Sequence, residues 1–303
     1  MTLLRPITAR TAALLATTAL VVSASAVTST VARAQQKIDR QMPLNAMGLL
    51  RITNLLGSVR VTGWDKDSVS VSGSAGAGVQ FYMGGSPVGV KLGVEGGKGA
   101  PETADLVLRV PVRARLWIRT TDGDVDVTSF SGDLDIAAVS SRVRVKGTLK
   151  QANVESIDGD VDMTASPDYL RIRTGGGRVT WSGSSEDAAI TTVGGGITAA
   201  AGTVTRGRFE SVTGDVRFSG STPRTGSLAF DTHSGDIAVA LGRDVSADVT
   251  AASSVGIDLF GKQSAGKLGD APQSVGRTLG ANGQGGATIV ARSFKGKIVF
   301  TQP

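Results

Sequence analysis

The chain has 303 residues, 32 Lys and Arg against 26 Asp and Glu, 41 Gly, one His and no Cys. Without Cys there is no thiol catalysis, disulfide framework, Cys-ligated zinc, iron–sulfur cluster or lipidated Cys. One His excludes multi-His metal sites, and no other motif implies a metal or cofactor. The basic residues form no run of four or more, so a nucleic-acid partner is not expected.

Residues 1–34 read as a secretory signal. Arg5 and Arg10 precede an apolar segment from Thr11 to Val22, and two small-residue sites follow, Ala24-Ser25-Ala26 and Ala32-Arg33-Ala34. Cleavage is expected after Ala34, where the composition changes into Gln35-Gln36-Lys37, with Ala26 as the alternative. The apolar run falls short of the ~20 residues that span a bilayer, so no transmembrane anchor is expected in the mature chain. The protein is therefore expected in the periplasm or cell envelope, or outside the cell. Residues 35–48 form an N-terminal extension to one domain over 49–303.

That domain opens on a degenerate two-strand unit, Leu50/Val59. The Gly-rich stretch from 73 to 99 follows and reads as a long surface loop, with an extra hairpin from Val79–Met83 and Val88–Leu92. Val107 to Ile118 reads as a strand with Pro111 at a bend or edge. From there one unit recurs: alternating apolar residues, a hydroxyl residue, a Gly-containing turn, then alternation again. Leu116-Trp117-Ile118-Arg119-Thr120-Thr121-Asp122-Gly123-Asp124-Val125-Asp126-Val127 and Leu170-Arg171-Ile172-Arg173-Thr174-Gly175-Gly176-Gly177-Arg178-Val179-Thr180-Trp181 are two copies. The first apolar residue after the turn falls at Val125, Val143, Val161, Val179, Ile197, Val216, Ile237 and Ile257, at first every eighteen residues. A second Gly-rich stretch, 261–286, reads as another loop before the unit returns at Ile289/Ile298.

A fixed short period marks a stack of repeats. Each half-unit alternates with period two and is rich in Val, Ile and Thr, so each is a short strand with one face inward. One unit buries about four apolar side chains, worth roughly 6–12 kcal/mol. Ordering its backbone costs about 18–36 kcal/mol, so units must stack to fold. The expected fold is an all-β parallel β-solenoid, a single-stranded β-helix of about 18-residue coils. The alternative is an antiparallel β-sandwich, with Asp122-Gly123 and Asp158-Gly159 as hairpin turns.

Gly57-Ser58-Val59-Arg60-Val61-Thr62-Gly63-Trp64-Asp65, Leu106-Val107-Leu108-Arg109-Val110-Pro111 and the recurring Gly-Asp-Val-x-Val units resemble a bacterial envelope family, the putative-adhesin β-strand-repeat domain of unknown function. The resemblance covers roughly residues 48–260 and returns at Ile289 to Phe300. It implies an exported, right-handed β-helix and carries no catalytic residues.

Stacking at period eighteen would align Asp124, Arg142, Asp160 and Arg178 as a charge ladder on one face, with Asp126, Arg144 and Asp162 beside it. Such a ladder fixes register. As a site it would hold a charged polysaccharide between carboxylates. His233, between Asp231 and Asp236, sits at a turn position, and turn neighbours alone do not build a triad. Thr120, Ser156, Thr174, Thr192, Ser211 and Thr232 form a hydroxyl column expected to satisfy turn backbone groups. Trp117 and Trp181 are expected outward or at strand ends. No catalytic, cofactor-binding or metal-binding residue is assigned. The expected function is a non-enzymatic exported scaffold or adhesin-like binding surface for an envelope protein or polysaccharide. The alternative, a β-helix polysaccharide lyase or hydrolase, requires a cleft with two carboxylates not neutralised by Arg.

Overall fold

Period-two alternation buries every second side chain, and in the computed structural model it produces strands throughout residues 36–96, 103–265, 272–280 and 285–302. These are the residues the structure describes. The leader and both cleavage sites lie outside them, as do 97–99 of the first Gly-rich stretch. Among the described residues all regular structure is β.

The chain begins with β1 (Gln36–Pro43), β2 (Leu49–Thr53), β3 (Val59–Trp64), β4 (Ser68–Ala75), β5 (Val79–Ser86), β6 (Gly89–Gly96) and β7 (Ala104–Pro111). Next come β8 (Arg115–Arg119), β9 (Asp124–Phe130), β10 (Asp133–Ala138), β11 (Arg142–Gly147), β12 (Gln151–Ser156), β13 (Val161–Ala165) and β14 (Tyr169–Thr174). Two long strands, β15 (Val179–Thr192) and β16 (Ile197–Ser211), precede β17 (Val216–Ser221), β18 (Ser227–Thr232), β19 (Ile237–Leu241) and β20 (Ala247–Ser253). The remainder is β21 (Gly256–Leu259), β22 (Lys262–Ala265), β23 (Gln273–Leu279), β24 (Ala287–Ser293) and β25 (Lys297–Thr301).

Pairing sorts them into two parallel ladders. Ladder 1 runs β6-β2-β8-β10-β12-β14-β15-β16-β18-β24-β20. Ladder 2 runs β7-β3-β9-β11-β13-β15-β16-β17-β19-β25-β21. Val125 pairs with Val143, and Val143 with Val161, eighteen residues on. Ile118 pairs in parallel with Ile136, not back onto its own unit as a hairpin would require. The antiparallel sandwich is thereby excluded for these units.

Two arrangements differ from chain order. The early unit β2–β3 lies between β6–β7 and β8–β9. The late unit β24–β25 lies between β18–β19 and β20–β21. The outermost strands are covered by antiparallel neighbours: β5 on β6, β4 on β7, β1 on β4, β23 on β20 and β22 on β21. The outer edges of the stack are therefore short antiparallel cap strands in place of the repeat's own parallel strands. The caps come from segments read as non-repeating. Residues 36–43 of the expected extension form strand β1. The stretches read as loops supply the last residues of β4, the expected hairpin as β5 and β6, and β22 and β23. Apart from that hairpin, their small, Gly-rich residues carry no period of eighteen, which hid their strand character. The strand expected over Val107–Ile118 is two strands, because the chain turns after Pro111.

The core is the row of inward residues of both ladders. Val143, Val161 and Val179 are fully buried, as are Ile118, Ile136 and Ile172. Phe209, Phe218 and Phe230 meet with ring centroids 5.3 Å apart. Trp181, expected outward or at a strand end, is 0% exposed. It shares parity with Val179 and pairs between Met163 and the small Ala199, which leaves room for the indole. Its Nε1–H donates to the Ala165 carbonyl at 3.0 Å, so the buried polar atom is satisfied.

Between ladders four residues of the hydroxyl column hold their turns in the same way, while Thr120 Oγ1 meets Ser141 Oγ at 3.1 Å. Hydroxyls of Ser156, Thr174, Ser211 and Thr232 accept the backbone N–H of Gly159, Gly177, Gly214 and Gly235 at 2.9–3.1 Å. The Thr192 hydroxyl instead donates to Ser211 Oγ at 2.9 Å. The turns themselves stack closely: a Cβ on Gly195 would sit 1.8 Å from the Gly177 carbonyl oxygen.

Candidate functional site

Outward positions on ladder 1 repeat in columns because its strands are in register. Trp117, Asp135, Asn153 and Arg171 stand side by side on successive strands. Two residues earlier, Arg115, Asp133, Gln151 and Tyr169 do the same. Together with Leu49, Leu116, Leu134 and Ala152 these eight residues line a groove of about 270 Å³.

The groove offers three kinds of group. Trp117 is half-buried, and Tyr169 is 48% exposed. The carboxylate of Asp135 accepts a hydrogen bond from Asn153 Nδ2 at 3.2 Å, fixing both side chains. Asp133 Oδ1 is buried and finds no hydrogen-bond partner among the described residues. A buried acceptor left unpaired costs about 1–3 kcal/mol unless something donates to it. None of the ion pairs found among the described residues involves Asp133, Asp135, Arg115 or Arg171. Asp133 and Asp135 share one strand and one face, so they form one wall of the groove and do not oppose each other across it.

The charged residues singled out in the sequence lie on the other ladder. Asp124 pairs in register with Arg142, and Asp126 with Arg144, which pairs in turn with Asp162. The close ion pairs are those of Arg144, 3.4 Å to Asp124 and 3.1 Å to Asp126. The Asp126 hydrogen bond, ahead of every other influence, raises the Arg144 pKa above its ordinary value. Asp160 Oδ1 accepts the backbone N–H of Arg178 at 2.8 Å. The same move recurs along the stack, with Asp215 taking the Asp236 N–H and Asp236 the Lys297 N–H. These carboxylates are held by the next unit's backbone.

His233 is exposed and stacks on Phe294 with centroids 5.4 Å apart. Its acidic neighbours are engaged elsewhere, Asp231 near Arg292 at 3.8 Å and Asp236 on Lys297. Burial, the main influence on Asp231, pushes its carboxyl above the ordinary range. Sequence reasoning considered Trp117 but missed Tyr169 and the two polar columns. The signal was present: 115, 133, 151 and 169 keep the period of eighteen on the outward parity. Among the described residues no group of His, Asp or Glu is arranged to hold a metal ion, and no helix is long and apolar enough to cross a membrane.

No curated protein matches the chain. Among solved structures it is similar to one described as a putative lipid binding protein from Parabacteroides distasonis ATCC 8503. That match has 10% identity, covers 88% of this chain and 96% of that one, and has a TM-score of 0.41. A putative adhesin from Bacteroides fragilis NCTC 9343 is 8% identical over 88% and 98% of the two chains, at a TM-score of 0.36. A putative cell adhesion protein from Clostridium sporogenes ATCC 15579 is 7% identical over 88% and 100%, at 0.28. Residues 148–298 match the model of the family described as Toastrack DUF4097. Over that stretch, which runs from just before β12 to the start of β25, the chain is similar to the Toastrack family of domains of unknown function.

Proposed function

We propose that the protein is an exported, non-enzymatic binding protein of the periplasm or cell envelope, with the groove on ladder 1 as its adhesin-like working surface. Residues 1–34 are its signal peptide, cleaved after Ala34. The stacked units over 49–303 wind as a right-handed parallel β-solenoid. The column Asp124, Arg142, Asp160 and Arg178 serves on ladder 2 to fix register, not to bind. The partner is an envelope protein or polysaccharide, and no nucleic acid is involved.

The observation that carries this reading is the groove: aromatic, amide and charged side chains, held in register by paired strands, around an unpaired buried acceptor. Asp133 and Asp135, free of ion pairs, favour a second reading as a polysaccharide lyase or hydrolase. Glycoside hydrolysis places its two carboxylates on either side of the scissile bond. Two carboxylates on one wall serve binding better.

Envelope fractionation with intact-mass analysis tests export. The expected N-terminus is Gln35, or Val27 with the earlier site, and a full-length chain in the cytoplasm would refute it. Sedimentation of the labelled mature protein with purified envelopes tests binding. Saturable binding that is lost in the double variant Trp117→Ala/Tyr169→Ala is expected. Binding indifferent to both substitutions would place the working surface elsewhere.

A further inference from the structure

We propose that the groove holds an uncharged oligosaccharide of at least four residues, laid along the stack and across the strands. The inference rests on the reading of this groove as the working surface and names its ligand class. Neighbouring strands sit about 4.8 Å apart, close to the length of one pyranose residue. A glycan laid across the ladder therefore stays in step with the protein, meeting one strand per sugar. Trp117 and Tyr169 are three strand steps apart, from β8 to β14, and two residues apart along the strand, or roughly 16 Å. That spacing suits two aromatic platforms, one at each end of a short glycan, each stacking on the C–H face of a ring.

Polar groups between the platforms match hydroxyls. The half-buried Asp133 lines the groove, and its carboxylate is an acceptor for a sugar O–H. The Asn153 amide, whose Nδ2 is engaged by Asp135, keeps its oxygen as an acceptor for a second hydroxyl. The groove balances Asp133 and Asp135 against Arg115 and Arg171, so it presents no net charge to attract a polyanion. A peptide is disfavoured on separate grounds. Peptides commonly dock on sheets by adding a strand at a free edge, and here every strand is already paired on both sides.

The test is calorimetric titration of the full mature chain with maltohexaose, cellohexaose and chitohexaose as neutral probes and hexagalacturonate as the acidic one. At least one neutral hexasaccharide is expected to bind saturably and more tightly than hexagalacturonate. Affinity should rise from its disaccharide to its tetrasaccharide and then level off. Trp117→Ala and Tyr169→Ala should each weaken binding roughly tenfold or more with melting unchanged. Tyr169, being nearly half exposed, keeps the test valid should the Trp117 variant fold poorly. Preference for hexagalacturonate, or neutral binding unaffected by both substitutions, would overturn the inference. Failure of all four probes while envelope sedimentation still depends on Trp117 and Tyr169 would overturn the sugar class and leave the surface reading standing. Failure of both would end both.

Discussion

Val161 and Asp160 are neighbours in the chain with opposite environments, and substituting each separates core from surface. Val161 is 0% exposed on β13, with Val143 and Val179 paired on either side. Val161→Asp forfeits about 1.5–3 kcal/mol of apolar burial. It also places a polar group among aliphatic side chains, which adds about 1–3 kcal/mol even if the carboxyl takes up a proton. A loss of at least about 3–4 kcal/mol is a large share of the 5–15 kcal/mol typical of a folded domain. Asp160 gives one carboxylate oxygen to the Arg178 N–H at 2.8 Å. In Asp160→Asn the amide oxygen can keep that bond, so only one partly exposed charge is lost, costing at most about 1 kcal/mol. In urea melts followed by circular dichroism, the Val161→Asp midpoint should fall by about 1 M or more, while Asp160→Asn stays near wild type. Equal losses, or a tolerated Val161→Asp, would show that the facing of β13 is wrong.

Two further outcomes follow from the turns and from ladder 1. Thr174→Val removes the hydroxyl that accepts the Gly177 N–H at 3.1 Å and should cost about 1–3 kcal/mol in thermal or urea melts. A loss below a few tenths would show that water replaces it. Asp231 has its carboxyl pKa raised by burial, with Arg292 acting against the shift. The folded state therefore holds that proton more tightly than the unfolded chain. Its contribution favours folding at acid pH and declines as pH rises through and beyond the ordinary carboxylate value of about 3.9. Asp231→Asn should melt no lower than wild type at pH 7, with its relative advantage fading on acidification. A variant less stable at neutral pH than at acid pH, relative to wild type, would contradict this.

Much of the stack was legible because it is written twice, in period-two alternation within each strand and in the eighteen-residue step between strands. Val125, Val143 and Val161 could be aligned on that basis alone. The out-of-order placement of β2–β3 and β24–β25 was not legible. Periodicity says which residues are equivalent, but a cap folded from an intervening segment changes which equivalents become neighbours. The caps other than the expected β5–β6 hairpin were hidden for a related reason: β22 and β23 pair antiparallel through small, polar sequence that buries few large side chains. Trp181 could have been placed by parity with Val179. The groove was half legible, since Trp117 was noticed singly, while Tyr169 gains meaning only once 115, 133, 151 and 169 are read as one outward column. That Asp160 would reach the Arg178 backbone depends on a short side chain's geometry at the turn, which no spacing encodes.

The absence of Cys makes the central claim, that the outer face of ladder 1 is the working surface, directly testable. Gln151→Cys places a single thiol in the groove and leaves both aromatic residues in place, and Thr180→Cys places one at an exposed position on ladder 2. Each purified mature variant would be labelled with a benzophenone maleimide, added to purified envelopes and irradiated. The account predicts specific adducts from residue 151, competed away by excess unlabelled wild-type protein, and only background from residue 180. Equal adducts from both positions, or adducts from residue 180 alone, would contradict it.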